Sequence, residues 1–145
     1  NIVAGDAPLD GVRSGWGIGI QDPFTAQEPG GGNSIDVAYV SNTCVVTSGD
    51  YQRFYMVGDR RVHHIIDPDT LMPADYYRGV TVITPDSGIA DLASTTLYTL
   101  PFERSRAMAE AMGWEVMWIF ADGTVECTER ILPLLRDRGG ATGLL

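Results

Sequence analysis

Apolar positions along the chain change their period near Ile89, and that change predicts the order of its elements. Before it the pattern is short and alternating. Trp16-Gly17-Ile18-Gly19-Ile20 has the period of 2 of a strand with small residues on one face. Pro29-Gly30-Gly31-Gly32-Asn33 reads as a loop, and residues 34–46 read as two apolar strands broken around Ser41-Asn42-Thr43. Residues 52–57 and 60–66 flank Gly58-Asp59, a two-residue connection whose order suits a type II′ hairpin. Asp67-Pro68-Asp69-Thr70 then leaves the sheet, because proline cannot donate to a ladder and restricts the residue before it.

A further strand at 80–84 leads into Pro85-Asp86-Ser87, where Asp or Ser can cap a helix. Ile89, Leu92, Ala93, Leu97 and Leu100 follow at helical spacing and are expected to form the inward face, with Asp91 and Thr95 on the other side. A second helix at 102–112 ends at Gly113, a good left-handed C-cap. A last hairpin covers 114–120, the Ala121-Asp122-Gly123 turn and 124–128. Residues 136–145 read as a fraying tail after a domain spanning 1–135. The predicted fold class is α+β, with two helices against a mainly antiparallel sheet.

Composition narrows the function more than the fold. The 145 residues are 44% apolar with a net charge of −9, so one domain with a real core is expected and phosphate backbones or anionic lipids would be repelled by most of the surface. Nucleic acid is not an expected partner. A nucleotide is still compatible, where a metal ion or a few local donors neutralise its phosphates. Cys44 and Cys127 lie far apart in predicted strands and in no metal-ligand spacing, and they read as buried free thiols rather than a disulfide. No run approaches the length of a transmembrane helix. The opening Asn1-Ile2-Val3 has neither a basic n-region nor an initiator Met, so a processed product, a tag-cleaved chain or a fragment is expected.

Three short segments can carry chemistry. Asp91 and Thr95 stand one helical turn apart, so a carboxylate and a hydroxyl can converge on one hard cation such as Mg2+; the competing reading is a solvated helix face. His64, beside His63 and just before Asp67-Pro68, can face a cleft as a base titrating near neutrality. Equally, one histidine of the pair is packed and the other solvated. Thr47-Ser48-Gly49-Asp50-Tyr51 offers hydroxyls and accessible amides for a phosphate or ribityl chain, or is an ordinary turn. No Walker A, GxGxxG, GxSxG or HExxH pattern is present.

In this order and spacing, Thr47-Ser48-Gly49-Asp50-Tyr51, His64-Ile65-Ile66-Asp67-Pro68 and Ala90-Asp91 through Ser94-Thr95 resemble the signatures of the ApbE family, the FAD:protein FMN transferases. Trp16-Gly17-Ile18-Gly19-Ile20-Gln21-Asp22-Pro23 looks like that family's W-x-V-G-I-x-D-P segment, and the resemblance runs to roughly Ile131. It implies an ApbE-like, T-fold-related domain in which Asp91 and Thr95 bind Mg2+ and His64 takes the proton from an acceptor threonine. Ser48, Gly49, Tyr51, Asp67 and Thr70, with His64, would shape the FAD site. FAD would be the substrate, FMN would pass to the acceptor and AMP would leave. The implied acceptors are flavoprotein subunits of electron-transport complexes. The implied location is the outer face of the bacterial cytoplasmic membrane, through an N-terminal lipid anchor not contained in these residues.

Two departures accompany the resemblance. Leu71 stands where the family usually has Gly, in its D-P-x-T-G-x-P pattern. The position matched by Asn1 is preceded in full-length members by a long N-terminal half that adds flavin-ring contacts and a backbone metal ligand, so a fragment carrying about half of the active site is expected. A non-catalytic flavin- or nucleotide-binding module and a purely structural domain are the alternatives.

Overall fold

The computed structural model describes residues 1–30 and 32–144; Gly31 of the predicted glycine loop and Leu145 of the predicted tail lie outside the described residues. In chain order the strands are β1 (Ile2–Ala4), β2 (Trp16–Gln21), β3 (Ser34–Val40), β4 (Thr43–Gly49), β5 (Phe54–Val57), β6 (Arg60–His63) and β7 (Gly79–Thr84). Helices α1 (Ser87–Tyr98) and α2 (Phe102–Met112) follow, then β8 (Glu115–Ile119), β9 (Val125–Cys127), a 3-10 turn (Leu132–Leu134) and the short helix α3 (Arg136–Gly139). A five-stranded sheet runs in the order β1-β4-β7-β8-β9, and β2-β3 and β5-β6 form separate two-stranded ribbons. All the pairings are antiparallel, which gives the α+β architecture.

Alternation in the central strands creates two cores from one sheet. Val80 and Val82 of β7 and Val116 and Trp118 of β8 point to one face, where they meet Ala93, Leu97 and Tyr98 of α1 and Ala109 of α2. Ile83, Met117 and Ile119 point to the other and meet Ile20 of β2, Ala38 and Val40 of β3, and Ile131 and Leu135. A strand covered on both faces is buried on both, and Gly79–Thr84 is buried at every position but the last. The same alternation places Ser48, in phase with Cys44 and Val46, on the α1 side of β4.

Helix α1 begins as predicted: the Asp86 carboxylate accepts from the Ile89 amide at 2.9 Å and caps the first turn. Its inward face differs from the predicted one. Ala90, Ala93, Ser94, Leu97 and Tyr98 are buried, whereas Ile89 is 42% and Leu92 66% exposed. The helix lies close against β4 and β7, and small residues at 90, 93 and 94 permit that approach. Asp91 and Thr95 are exposed on the adjoining stripe.

The expectation of a fraying tail is also corrected. Fully buried Asp36 of β3 accepts from the Arg138 guanidinium at 3.0 Å and from the Asp137 amide at 3.0 Å, fixing α3 to the ribbon. Farther on, the Gly143 carbonyl accepts from the Ser14 amide at 2.8 Å. A partner more than a hundred positions away leaves no local trace in the tail's own composition. Cys44 and Cys127 are free thiols, as expected, but only Cys44 is fully buried; Cys127 is half-buried, which pushes its thiol up to about 11.

Candidate active site

Three pieces of chain converge on a cavity of about 610 Å³. Asp91, Thr95 and Thr99 of α1 form one wall, Thr47, Ser48 and Gly49 of β4 the floor, and Tyr51, Gln52, Arg53, His64, Ile65 and Ile66 the opposite wall. Asn1 stands at the edge.

The α1 wall is a chain of hydroxyls with a definite direction. Ser94 donates its single proton to the Asp91 carbonyl at 3.1 Å. The 2.9 Å contact between Ser48 and Ser94 is therefore donated by Ser48, and the 3.1 Å contact between Ser48 and Thr95 by Thr95. Thr95 then presents oxygen lone pairs, not a proton, to the cavity. Asp91 Oδ1 accepts from the Asn1 side-chain amide at 3.0 Å, and its Oδ2 has no partner among the described residues. A carboxylate oxygen and a hydroxyl lone pair one turn apart are the hard donors that Mg2+ takes. Among the described residues no group of three or more His, Cys, Asp or Glu side chains converges, so a cation here would draw most of its ligands from water and substrate phosphate. That partition suits Mg2+ and is unlike a closed structural site.

The opposite wall separates the two histidines. His63 is buried at the end of β6: its Nδ1 accepts from the Ile65 amide at 3.3 Å and its Nε2 lies 2.8 Å from the Ala74 carbonyl, which assigns the proton to Nε2. Burial lowers its pKa, and the Tyr98 ring packs edge-on against it. His64, one residue on, faces out and lines the cavity. The β5–β6 turn has a positive φ of 59° at Gly58 and none at Asp59, the type II′ arrangement expected from the order of the two residues.

Tyr51 is buried against the floor, and its phenol is pushed up to about 12 by burial and then by the charge of Asp50, so it is a neutral donor. Gly49 is required for this. A Cβ there would fall within 2.4 Å of the Tyr51 ring and 2.9 Å of the Arg78 carbonyl. Ser48, Gly49, Tyr51, His64, Asp91 and Thr95 are thus brought together. Asp67 and Thr70 lie in the loop beyond the cavity lining. Asp67 is buried and accepts from the Asp69 amide at 2.8 Å, the Thr70 amide at 3.4 Å and the Tyr76 hydroxyl at 3.2 Å, contacts that hold its carboxyl below the usual carboxylate range. The loop closes through a left-handed Leu71 with φ of 57°, a conformation that glycine adopts without cost.

Sequence reasoning gave no role to Asp50, Ser94 or Asn1. Asp50 lay inside a quoted motif, and its signal was a carboxylate directly following an apolar strand. Ser94 and Asn1 enter only through the packing of α1 on β4 and β1 on β4.

The model of the ApbE family matches residues 1–118. The chain belongs to this family. It is 37% identical over 127 residues to the FAD:protein FMN transferase of Treponema pallidum, an alignment covering 86% of this chain and 34% of that protein. The FAD:protein FMN transferase of Rhodobacter capsulatus is 32% identical over 85% of this chain and 22% of its own length. Among solved structures, the ApbE protein of Thermotoga maritima superposes with a TM-score of 0.75 at 31% identity, covering 88% of this chain and 40% of that one. The flavinyl transferase ApbE of Pseudomonas stutzeri, in its apo form, gives 0.69 at 27% identity over 95% and 41%. The chain therefore spans about a third or less of these curated relatives and about two fifths of the ApbE structures. The predicted ApbE-like α+β fold holds.

Proposed function

We propose that this chain forms the cation-and-base side of a site that transfers FMN from FAD to a threonine hydroxyl of an acceptor flavoprotein. The observation that carries the reading is the convergence on one cavity of Asp91 and Thr95 from α1 and of His64 from the segment after β6. The names of the ApbE relatives support the same class of reaction.

In this scheme His64 removes the proton from the acceptor hydroxyl, whose oxygen forms a bond to the phosphorus on the FMN side of the pyrophosphate. The bond from that phosphorus to the bridging oxygen breaks, and AMP leaves with that oxygen. Mg2+, when bound, would neutralise charge on the phosphates and on the departing oxygen. Asp91 would hold the cation by charge, Thr95 would add a neutral oxygen, and Ser48 would orient the Thr95 lone pairs. The buried phenol of Tyr51 would keep one side of the site dry. No helix among the described residues is long and apolar enough to cross a membrane. A location on the outer face of the bacterial cytoplasmic membrane, through a lipid anchor elsewhere in the protein, belongs to the proposal, as do electron-transport subunits as acceptors.

The test uses the full-length protein with FAD, Mg2+ and a threonine-containing acceptor peptide, read by intact mass. A gain of one FMN phosphoester on the threonine, with one AMP released, is the expected result. FAD binding without any mass gain would replace the reading with a non-catalytic flavin-binding module.

A further inference from the structure

Asp50 is fully buried and directly follows β4, yet nothing in the proposed chemistry uses it. Its Oδ1 accepts from the Arg61 guanidinium at 3.0 Å and its Oδ2 from the Arg78 guanidinium at 2.6 Å. Arg78 immediately precedes β7. Arg61 lies on β6, and its guanidinium stacks 4.4 Å from the centroid of the Phe54 ring on β5. Phe54 in turn pairs with His63, the residue before His64. One carboxylate thus connects the end of β4, the start of β7 and the ribbon that ends at His63, one residue before His64.

The ribbon needs such an attachment. It is not hydrogen-bonded into the five-stranded sheet, and Tyr55, Met56 and Val57 are 63%, 52% and 59% exposed. Within the two strands little apolar burial fixes the orientation; the buried Ile65, just after His64, anchors only the chain beyond them. The α1 wall, by contrast, is set by the packed core. The distance across the cavity then depends on how firmly the ribbon is held to β4 and β7.

We propose that Asp50 is a positioning residue: shared between Arg61 and Arg78, it holds the β5–β6 ribbon so that His64 faces Asp91 and Thr95. This rests on the transferase reading above. Asp50→Asn keeps the shape but presents an amide N–H₂ to one of the two guanidiniums, so one arginine is released. Arg61→Lys keeps a positive charge but loses the planar fork and the stack on Phe54. In both, the base is displaced while the cation wall is left intact.

The experiment is a double-mutant cycle on the full-length protein, combining Asp50→Asn with His64→Ala. Asp50→Asn should lower kcat on the order of 10- to 100-fold, as a displacement of about 1 Å does, with KM for FAD changed less than about threefold. Because Asp50 acts through His64, the double variant should be no slower than His64→Ala alone. Losses that multiply in the cycle overturn the proposal, since a general structural defect would add to the loss of the base. If Asp50→Asn does not fold, Arg61→Lys enters the same cycle with the same two outcomes. A wild-type protein that transfers no FMN overturns the transferase reading instead. Amide hydrogen exchange over residues 54–63 then decides the clamp: faster exchange in Asp50→Asn supports it, and unchanged exchange overturns it.

Discussion

The two walls of the cavity are built on different physical principles. The α1 wall is anchored by burial: Ala90, Ala93, Leu97 and Tyr98 are inaccessible, and the hydroxyls of Ser48, Ser94 and Thr95 ride on a helix pressed against β4. The β5 and β6 strands behind the other wall contain no buried apolar residue, and that wall is held by a carboxylate between two arginines, by one buried imidazole and by the buried Ile65. Packing is nearly insensitive to pH, whereas charges and a neutral histidine are not. The geometry between the walls should therefore respond to conditions mainly from the ribbon side.

The largest effect is expected on the α1 wall, which in the proposed reaction faces the substrate phosphates. Asp91→Ala in the full-length protein should reduce FMN transfer by on the order of 10²–10³-fold, the range seen when one group aimed at developing charge is removed. Thr95→Ala should cost less, since the carboxylate supplies the charge. Single-turnover mass spectrometry with and without Mg2+ measures both. Equal losses in the two variants would mean that charge is not what the wall contributes.

Next comes the packing itself. Leu97→Ala removes a fully buried side chain from the core under α1 and should destabilise the protein by about 2–5 kcal/mol in urea unfolding. A cost under 1 kcal/mol would show that the α1 wall is not set by burial.

A smaller, condition-dependent effect belongs to the ribbon. His63 is held neutral, its pKa lowered first by burial and further by the charges of His64 and Arg61, against the Ala74 carbonyl and Asp50. The unfolded chain, with a histidine pKa of about 6.5, binds more protons than the folded one below that value. The His63 contribution is therefore complete above about pH 6.5 and is lost as pH falls toward its folded pKa. Urea titrations between pH 7.5 and 5 should show this slope, and His63→Gln should flatten it. An unchanged slope would assign the acid sensitivity to other groups.

The smallest effect concerns the loop after His64. Leu71 at φ of 57° carries the penalty of a left-handed conformation for a bulky residue, so Leu71→Gly should raise stability by about 0.5–1 kcal/mol in thermal or urea unfolding. A decrease would show that the exposed Leu71 side chain makes a contact worth more than the strain.

Much of this was legible because it is local. Two-residue turn chemistry located the β5–β6 ribbon, Asp86 marked the start of α1 and Gly113 the end of α2, and the four-residue spacing of Asp91 and Thr95 put both on one helix stripe. Strand partners were not legible. Residues 34–46 contained two apolar strands, but β3 pairs with β2 and β4 with β1 and β7, since alternation specifies a face and not a neighbour. The inward face of α1 was misread in part because Ile89 and Leu92 fit the helical period as well as Ala90 and Ser94; packing against β4 decided between them. For the histidine pair, alternation left both readings open, and the buried environment of His63 settled which one is packed.

Ser48-Gly49-Asp50-Tyr51 puts four consecutive residues to four separate uses: a hydroxyl toward α1, space for a ring, a carboxylate toward two arginines, and the ring itself. Because Ser48 and Gly49 end β4 and Asp50 and Tyr51 follow it with no spacer, inserting or deleting one residue here would move each of these groups away from its partner. The motif can tolerate some substitution, but it cannot tolerate a change of length. Evolutionary variation in length should instead collect at the Gly58-Asp59 tip, where an added residue re-aims no side chain that the cavity depends on.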